Sequence, residues 1–251
     1  MISVIIPAYN EEHAIKEVIE KIRKVLKDNK LDKDSEIIVV NDGSKDNTRE
    51  VALSTGVIVI DLDTNQGYGH AIKVGIEKAK NETIVIIDAD QTYPFSKVPE
   101  MLEAKKQGYD MVVGSRTNKQ YKESLFKKIL RNILKSLVEY MAGKKIKDVN
   151  SGLRVFDKST VTPFLPRLCN TFSFTTSQTL AYLMNGYSIN YIDIPYYKRV
   201  GKTKVKLFKD SLITIKYILL SGFYYNPIKV FALFGLLGII LLIVILLIVI
   251  I

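Results

Sequence analysis

Short apolar runs and polar loops alternate regularly over the first half of the chain. Residues 2–7, 36–40, 57–62, 84–87 and 110–114 are β-branched-rich runs bounded by turn residues. This is how strands buried on both faces of a parallel sheet read. Between them the apolar spacing becomes helical: Ala14, Ile15, Val18, Ile19, Ile22, Val25 and Leu26 mark one face of a helix over 11–26. Further helices are predicted to about residue 53, with Ser44, Asp46 and Asn47 as candidate caps, and over 68–80 and 98–107. Five strand–helix alternations predict an α/β domain built on a doubly wound, mostly parallel sheet with right-handed crossovers. The loops at its strand ends, 8–11, 41–44, 65–69 and 88–94, are then expected to meet along one edge as a single cleft.

Beyond residue 114 the pattern changes. Ten basic residues stand against Glu123 and Glu139 between 116 and 147, and Leu125, Ile129, Ile133, Leu137 and Val138 recur at helical spacing. A basic amphipathic helix over about 123–142 is expected to lie in a membrane interface, or, on the plainer reading, on a solvated surface. Residues 205–226 repeat the arrangement, ending in Phe223, Tyr224 and Tyr225 as an interfacial belt. The run 228–251 is long and apolar enough to cross a bilayer. It stops without a polar tail, so either the helix ends at the opposite interface or a second span follows. Lys198, Arg199, Lys202, Lys204, Lys206 and Lys209 form a basic run that places the domain 1–204 in the cytoplasm by the positive-inside rule. A strand already at 2–7 argues against a signal peptide.

Composition narrows the choice of partner. The net charge of +10 suits nucleic acid, a membrane surface or a phosphorylated substrate. The basic runs flank membrane-type helices rather than an aromatic platform, which argues against nucleic acid. Cys169 is the one cysteine, so there is no internal disulfide.

Asp88 and Asp90 end the fourth strand run with one alanine between them. Two carboxylates at a strand's carboxyl end make an oxygen site for Mg²⁺ or Mn²⁺, particularly when a diphosphate completes the shell. Alone, the pair also reads as a solvated Asp-x-Asp turn. A nucleotide-activated donor at the pair and an anionic, lipid-linked acceptor at the basic segments would explain the acids, the cations and the membrane edge together.

The ordered motifs PAYNE (7–11), NDGSKDNT (41–48), NQGYGHA (65–71) and DAD (88–90) resemble the family-2, GT-A-fold glycosyltransferases. GSR (114–116), NSGLRVF (150–156), FSFTTSQTLAYLMNGY (172–187) and IPYYKRVGKTK (194–204) resemble the polyprenyl-phosphate hexose synthases, typified by dolichyl-phosphate mannose synthase. The resemblance implies that Pro7, Tyr9, Glu11 and Asp42 hold the base and ribose of the donor, with Asn65 and Gly69 in the cleft-lining turn. Tyr9 also reads as core and Glu11 as a helix N-terminal acid. Residues 67–71 lack the glycine spacing and strand position of a dinucleotide fingerprint, and His70 reads as structural.

By the same resemblance Asp88 and Asp90 carry the metal and, with Arg116, the catalysis, Asp88 also facing the donor. Similar enzymes often have a Gln two residues after the second Asp. Here Thr92 stands there and Gln91 one place earlier, which leaves the third protein ligand open. Arg116 and Arg131 are candidates for the acceptor phosphate, and Arg199 and Lys204 for either the acceptor or the donor diphosphate. Arginine suits phosphate through its planar fork, although Arg131 also suits lipid headgroups.

An acceptor hydroxyl needs a carboxylate base, and no acid occurs between Lys158 and Tyr191. A phosphate acceptor needs no such base, being largely ionised near neutral pH. The expected activity is an inverting, metal-dependent hexose transfer from GDP-mannose or UDP-glucose to dolichyl or undecaprenyl phosphate. Its rivals are a transferase acting on a glycan or lipid hydroxyl and a membrane-anchored, non-catalytic nucleotide-sugar-binding module. Oligomeric state is left open.

Overall fold

The computed structural model describes residues 1–117, 125–201, 204 and 207–250. Among these, seven strands form one sheet: β1 (Ser3–Ala8), β2 (Glu36–Asn41), β3 (Ile58–Asp61), β4 (Thr83–Ile86), β5 (Met111–Arg116), β6 (Arg154–Asp157) and β7 (Ile189–Ile194). Their order is β3-β2-β1-β4-β6-β5-β7. Neighbours are parallel except at β6, which is antiparallel to both β4 and β5. The helices α1 (Ile15–Asp28), α2 (Thr48–Ser54), α3 (Tyr68–Lys78) and α4 (Val98–Lys106) connect the first five strands. After them come α5 (Leu125–Ala142), α6 (Lys158–Val161), α7 (Phe174–Met184), α8 (Leu207–Tyr225) and α9 (Pro227–Ile250). The doubly wound, mostly parallel sheet is therefore as the sequence pattern predicts, and the five strand runs appear as β1 to β5. Residues 118–124, of which the last two open the expected interfacial helix, and Lys202 and Lys206 of the basic run lie outside the described residues.

Strand parity sorts the core into two layers. Val4, Ile6 and Ala8 of β1, Ile37 and Val39 of β2, and Val85, Ile87 and Ala89 pack with Ile15, Ile19 and Ile22 of α1 and Met101 of α4. Their alternates Ile5, Ile38, Val40, Ile84 and Ile86 pack with Ile72 and Ile76 of α3 and Phe174, Ala181 and Tyr182 of α7. Both faces of the central strands are covered, so they read as unbroken apolar runs. The same parity sends Asp88, two residues beyond Ile86, toward the α3 side.

A third cluster ties the membrane-side helices to this body: Val138 and Met141 of α5, Ile146, Leu180 of α7, Ile218 of α8 and Val230 of α9. Lys229 Nζ donates to the carbonyls of Tyr140 (3.1 Å) and Met141 (3.0 Å), satisfying the last turn of α5, and the Tyr140 hydroxyl returns a bond to Lys229 O at 2.9 Å. Beyond this anchor α9 exposes apolar side chains all round. Pro227–Ile248 is long and apolar enough to cross a membrane. At 1.5 Å per residue its 22 residues reach about 33 Å, against a hydrocarbon layer of about 30 Å. Ile129 and Ile133 of α5, and Phe208, Leu212, Phe223 and Tyr224 of α8, are exposed as well.

Candidate active site

The carboxyl ends of β1, β2 and β4 supply four acids, Glu11, Asp42, Asp88 and Asp90, and the chain between β7 and α8 supplies two bases that reach back to Glu11 and Asp90. The Glu11 carboxylate is almost buried. Its Oε1 accepts from Arg199 Nη2 at 2.8 Å and from Lys204 Nζ at 2.6 Å. The other Arg199 terminal nitrogen, Nη1, stands 3.2 Å from Asp90 Oδ2, so one guanidinium bridges two buried carboxylates. Lys204 Nζ also donates to the carbonyls of Tyr9 and Asn10 and lies over the Tyr9 ring, 5.5 Å from its centroid. Backbone bonds from Tyr197 N to Thr92 O (3.0 Å) and from Val200 N to Asp90 O (3.2 Å) lay this segment along the acidic loop.

Each carboxylate of the Asp-x-Asp pair is held through one oxygen. Asp90 Oδ1 accepts from Thr92 Oγ1 (2.6 Å) and from Thr92 N (3.1 Å), which leaves Oδ2 facing Arg199. Asp88 Oδ1 accepts from the Tyr68 hydroxyl at 2.8 Å. Gly152 presses on the same carboxylate: a Cβ there would stand 2.6 and 2.7 Å from its two oxygens. Burial, and then the neighbouring Asp90 charge, raise the Asp88 pKa, with the Tyr68 bond pulling the other way.

A carboxyl raised in the fold binds its proton more tightly there than in the unfolded chain. Its contribution to stability is greatest at low pH and falls as pH climbs from about 4 through the raised value. Metal-free protein is expected to lose melting temperature across that window, and Asp88→Asn to flatten the loss. Thermal melts at pH 5 and pH 8 check this, and parallel profiles for the two proteins would contradict it.

Asp42 is buried, and both its oxygens are engaged, Oδ1 by Gln66 N (2.7 Å) and Oδ2 by Gly67 N (2.9 Å). It clamps the following loop. Gly67 has φ +107°, a conformation glycine adopts without strain. Gly69 packs directly on the Cys169–Asn170 backbone, where a Cβ would not fit. Asn65 is exposed, Pro7 is buried within β1, and Tyr9 is half-buried under Lys204.

Arg116, at the end of β5, is paired fork to fork with Asp148: Nε to Oδ2 at 2.7 Å and Nη2 to Oδ1 at 2.8 Å. Its guanidinium also lies over Tyr196, 5.2 Å from the ring centroid. Burial works to raise the Asp148 pKa, but its bonds from Arg116 and from Asn150 N outweigh this and hold the carboxyl below its ordinary range. Asp148 is therefore the orienting partner of Arg116 and a poor base. Arg131 is half-buried on α5.

Gln91 turns away from the acidic pair, donating to Glu17 Oε2 of α1 at 2.8 Å and accepting from Lys21. Thr92 supports Asp90 in its place. Among the described residues no cluster of three or more His, Cys, Asp or Glu forms a closed metal cage. The donor set is instead two hard carboxylates, one already facing a cationic guanidinium. That set fits Mg²⁺ or Mn²⁺ bound together with a phosphorylated ligand.

Sequence reasoning missed Tyr68, Asp148, Gly152 and Arg154. The Arg154 side chain is fully buried and braces the 149–151 turn, donating to Val149 O (2.8 Å), Ser151 O (2.9 Å) and Thr179 Oγ1 (3.0 Å). Three of the four lie inside motifs already singled out by sequence, and Asp148 lies two residues before one.

A glycosyl transferase family 2 model matches residues 3–164. Undecaprenyl-phosphate 4-deoxy-4-formamido-L-arabinose transferase of Pectobacterium atrosepticum is 30% identical over 250 residues, covering 93% of this chain and 71% of that protein. The protein of the same name from Yersinia pestis is 27% identical with the same coverage. Among solved structures, glucosyl-3-phosphoglycerate synthase from Mycobacterium tuberculosis with phosphoglyceric acid superposes with a TM-score of 0.71 at 20% identity, over 88% of this chain and 79% of that one. The same enzyme with Mn²⁺, UDP-glucose and glycerol 3-phosphate gives a TM-score of 0.70 at 20% identity and the same coverage. The fold is thus that of the GT-A glycosyltransferases. The chain belongs to glycosyl transferase family 2 and is a glycosyltransferase.

Proposed function

We propose that this enzyme transfers a sugar from a nucleotide sugar to polyprenyl phosphate at the cytoplasmic face of a membrane, with inversion at the anomeric carbon. The observation that carries the reading is the Asp88–Asp90 pair at the strand ends, faced by Arg199 and flanked by the Arg116–Asp148 pair. The undecaprenyl-phosphate transferases it resembles support the lipid phosphate, and a bilayer-length α9 together with exposed apolar residues on α5 and α8 supports the location. GDP-mannose, UDP-glucose and a nucleotide-linked formamido-arabinose are the donor classes to test. Incubation with a panel of labelled nucleotide sugars and undecaprenyl phosphate decides among them, and no turnover with any donor would refute the reading.

In this reading Asp42, Tyr9 and Glu11 line the nucleoside end of the donor. Asp88 and Asp90 would hold a divalent ion that neutralises charge developing on the departing diphosphate. Arg199 and Lys204, now spent on Glu11 and Asp90, are the cations nearest the diphosphate and add to that neutralisation. Arg116, aimed by Asp148, presents the acceptor phosphate. With Asp148 committed to Arg116, the site favours an acceptor that arrives already ionised over one whose hydroxyl must be deprotonated. The α9 anchor through Lys229 fixes the cleft relative to the lipid surface from which that acceptor comes.

The bridge at Arg199 makes a separate prediction. Arg199→Ala leaves Glu11 and Asp90 buried without their shared cation, a change of on the order of 3 kcal/mol in the metal-free protein. Saturating Mn²⁺ with a nucleoside diphosphate is expected to recover much of that loss by binding only the folded state. Calorimetric melts with and without these ligands test it, and an unchanged metal-free melt would contradict it.

A further inference from the structure

We propose that the Tyr68 hydroxyl is a positioning group for the metal site: it fixes Asp88 so that this carboxylate and Asp90 present their oxygens to one ion. The inference rests on the metal reading of the acidic pair and names a residue that reading does not need. Three observations carry it.

The first is a parallel between the two acids. Each has Oδ1 held by a hydroxyl, Asp90 by Thr92 at 2.6 Å and Asp88 by Tyr68 at 2.8 Å. Asp90 thereby turns Oδ2 toward a cation, the Arg199 guanidinium. Asp88, held at the same oxygen, has its own Oδ2 outside the bond to Tyr68. Bonds of this kind from outside the ligand shell set ligand orientation, and their loss typically costs about 10–100-fold in metal affinity.

The second is that Tyr68 has little freedom of its own. It opens α3, directly after Gln66 and Gly67, whose N–H groups are both bound by Asp42. The next residue, Gly69, packs on the Cys169–Asn170 backbone, and His70 N donates to Asn170 O at 2.9 Å. The phenol ring stacks on Phe172 at 5.6 Å between centroids and 18° between planes. A hydroxyl on so constrained a ring can hold a carboxylate in one orientation.

The third is that the carboxylate needs holding. Asp88 lies beside a like charge at Asp90, and Gly152 closes its other side. Without a donor on Oδ1, repulsion between the two acids favours turning Asp88 away. Because Asp42 sets the position of the Tyr68 backbone, the nucleoside end of the cleft and its metal end are joined through three consecutive residues.

The test is Mn²⁺ binding to the whole 251-residue chain in detergent, read from the free-ion paramagnetic resonance signal in the presence of UDP. Tyr68→Phe keeps the ring and its stack on Phe172 and removes only the hydroxyl. Its Mn²⁺ dissociation constant is expected to rise about tenfold or more, with turnover at saturating Mn²⁺ reduced much less than turnover at limiting Mn²⁺. Tyr68→Leu, which also loses the stack, is expected to melt earlier as well, separating packing from positioning. Wild-type affinity in Tyr68→Phe would overturn the proposal and leave the metal reading standing. Failure of the wild type to bind Mn²⁺, or equal binding by Asp90→Ala, would overturn both.

Discussion

Asp90→Ala is expected to lower turnover by about a thousandfold or more while leaving the protein folded. A metal acting on a leaving diphosphate supplies several kcal/mol of transition-state stabilisation, and each 1.4 kcal/mol is about a factor of ten. Asp90 offers its Oδ2 to a cation, with Thr92 fixing the other oxygen. The substitution removes a buried charge that repels Asp88, so the fold loses little. It also frees one end of the Arg199 bridge, and Glu11 keeps the other. Steady-state kinetics with a circular-dichroism melt measures both effects. Full activity in a folded Asp90→Ala protein would remove the metal assignment.

Gly152→Ala is expected to cost about a hundredfold in turnover, although it adds only a methyl group. The new Cβ would stand 2.6 and 2.7 Å from the two Asp88 oxygens, inside any permitted contact. The backbone cannot retreat easily, because Gly152 N is held by the Tyr93 hydroxyl at 2.8 Å and the adjoining turn is braced by Arg154. Asp88 must therefore move, and a misplacement of about 1 Å at a reacting centre costs on the order of 10² in rate. Stability falls by about 1–3 kcal/mol, the usual range for overpacking. Kinetics at several Mn²⁺ concentrations and a melt report the two effects, and near-wild-type turnover would show that the 150–153 turn is softer than its bonds imply.

The parts legible from sequence share a physical reason. The central strands β1, β2 and β4 are covered on both faces, so their inner residues form apolar runs, and parity carried past Ile86 already turns Asp88 toward α3. The acidic pair stood out because charge cannot continue a buried strand. The segment 150–194 was harder. In α7 the five polar residues Thr175 to Thr179 are all buried, so the helix has no polar face to betray its period. β6 is four residues long and opens with a buried arginine. Gly152 and Asp148 act through contacts with residues 64 and 32 positions away. Arg199 and Lys204 look from sequence like cations awaiting phosphate, and only the fold brings them onto Glu11, more than 180 positions earlier.

The central claim is that a metal-held nucleotide sugar is attacked by a lipid-borne phosphate. Transfer of label from the nucleotide sugar that turns over to undecaprenyl phosphate, set beside undecaprenol in the same vesicles with and without EDTA, tests it most directly. Labelled lipid is expected only from the phosphate-bearing acceptor, abolished by EDTA and restored by Mn²⁺ or Mg²⁺. Equal labelling of the alcohol, or transfer that survives EDTA, would contradict it.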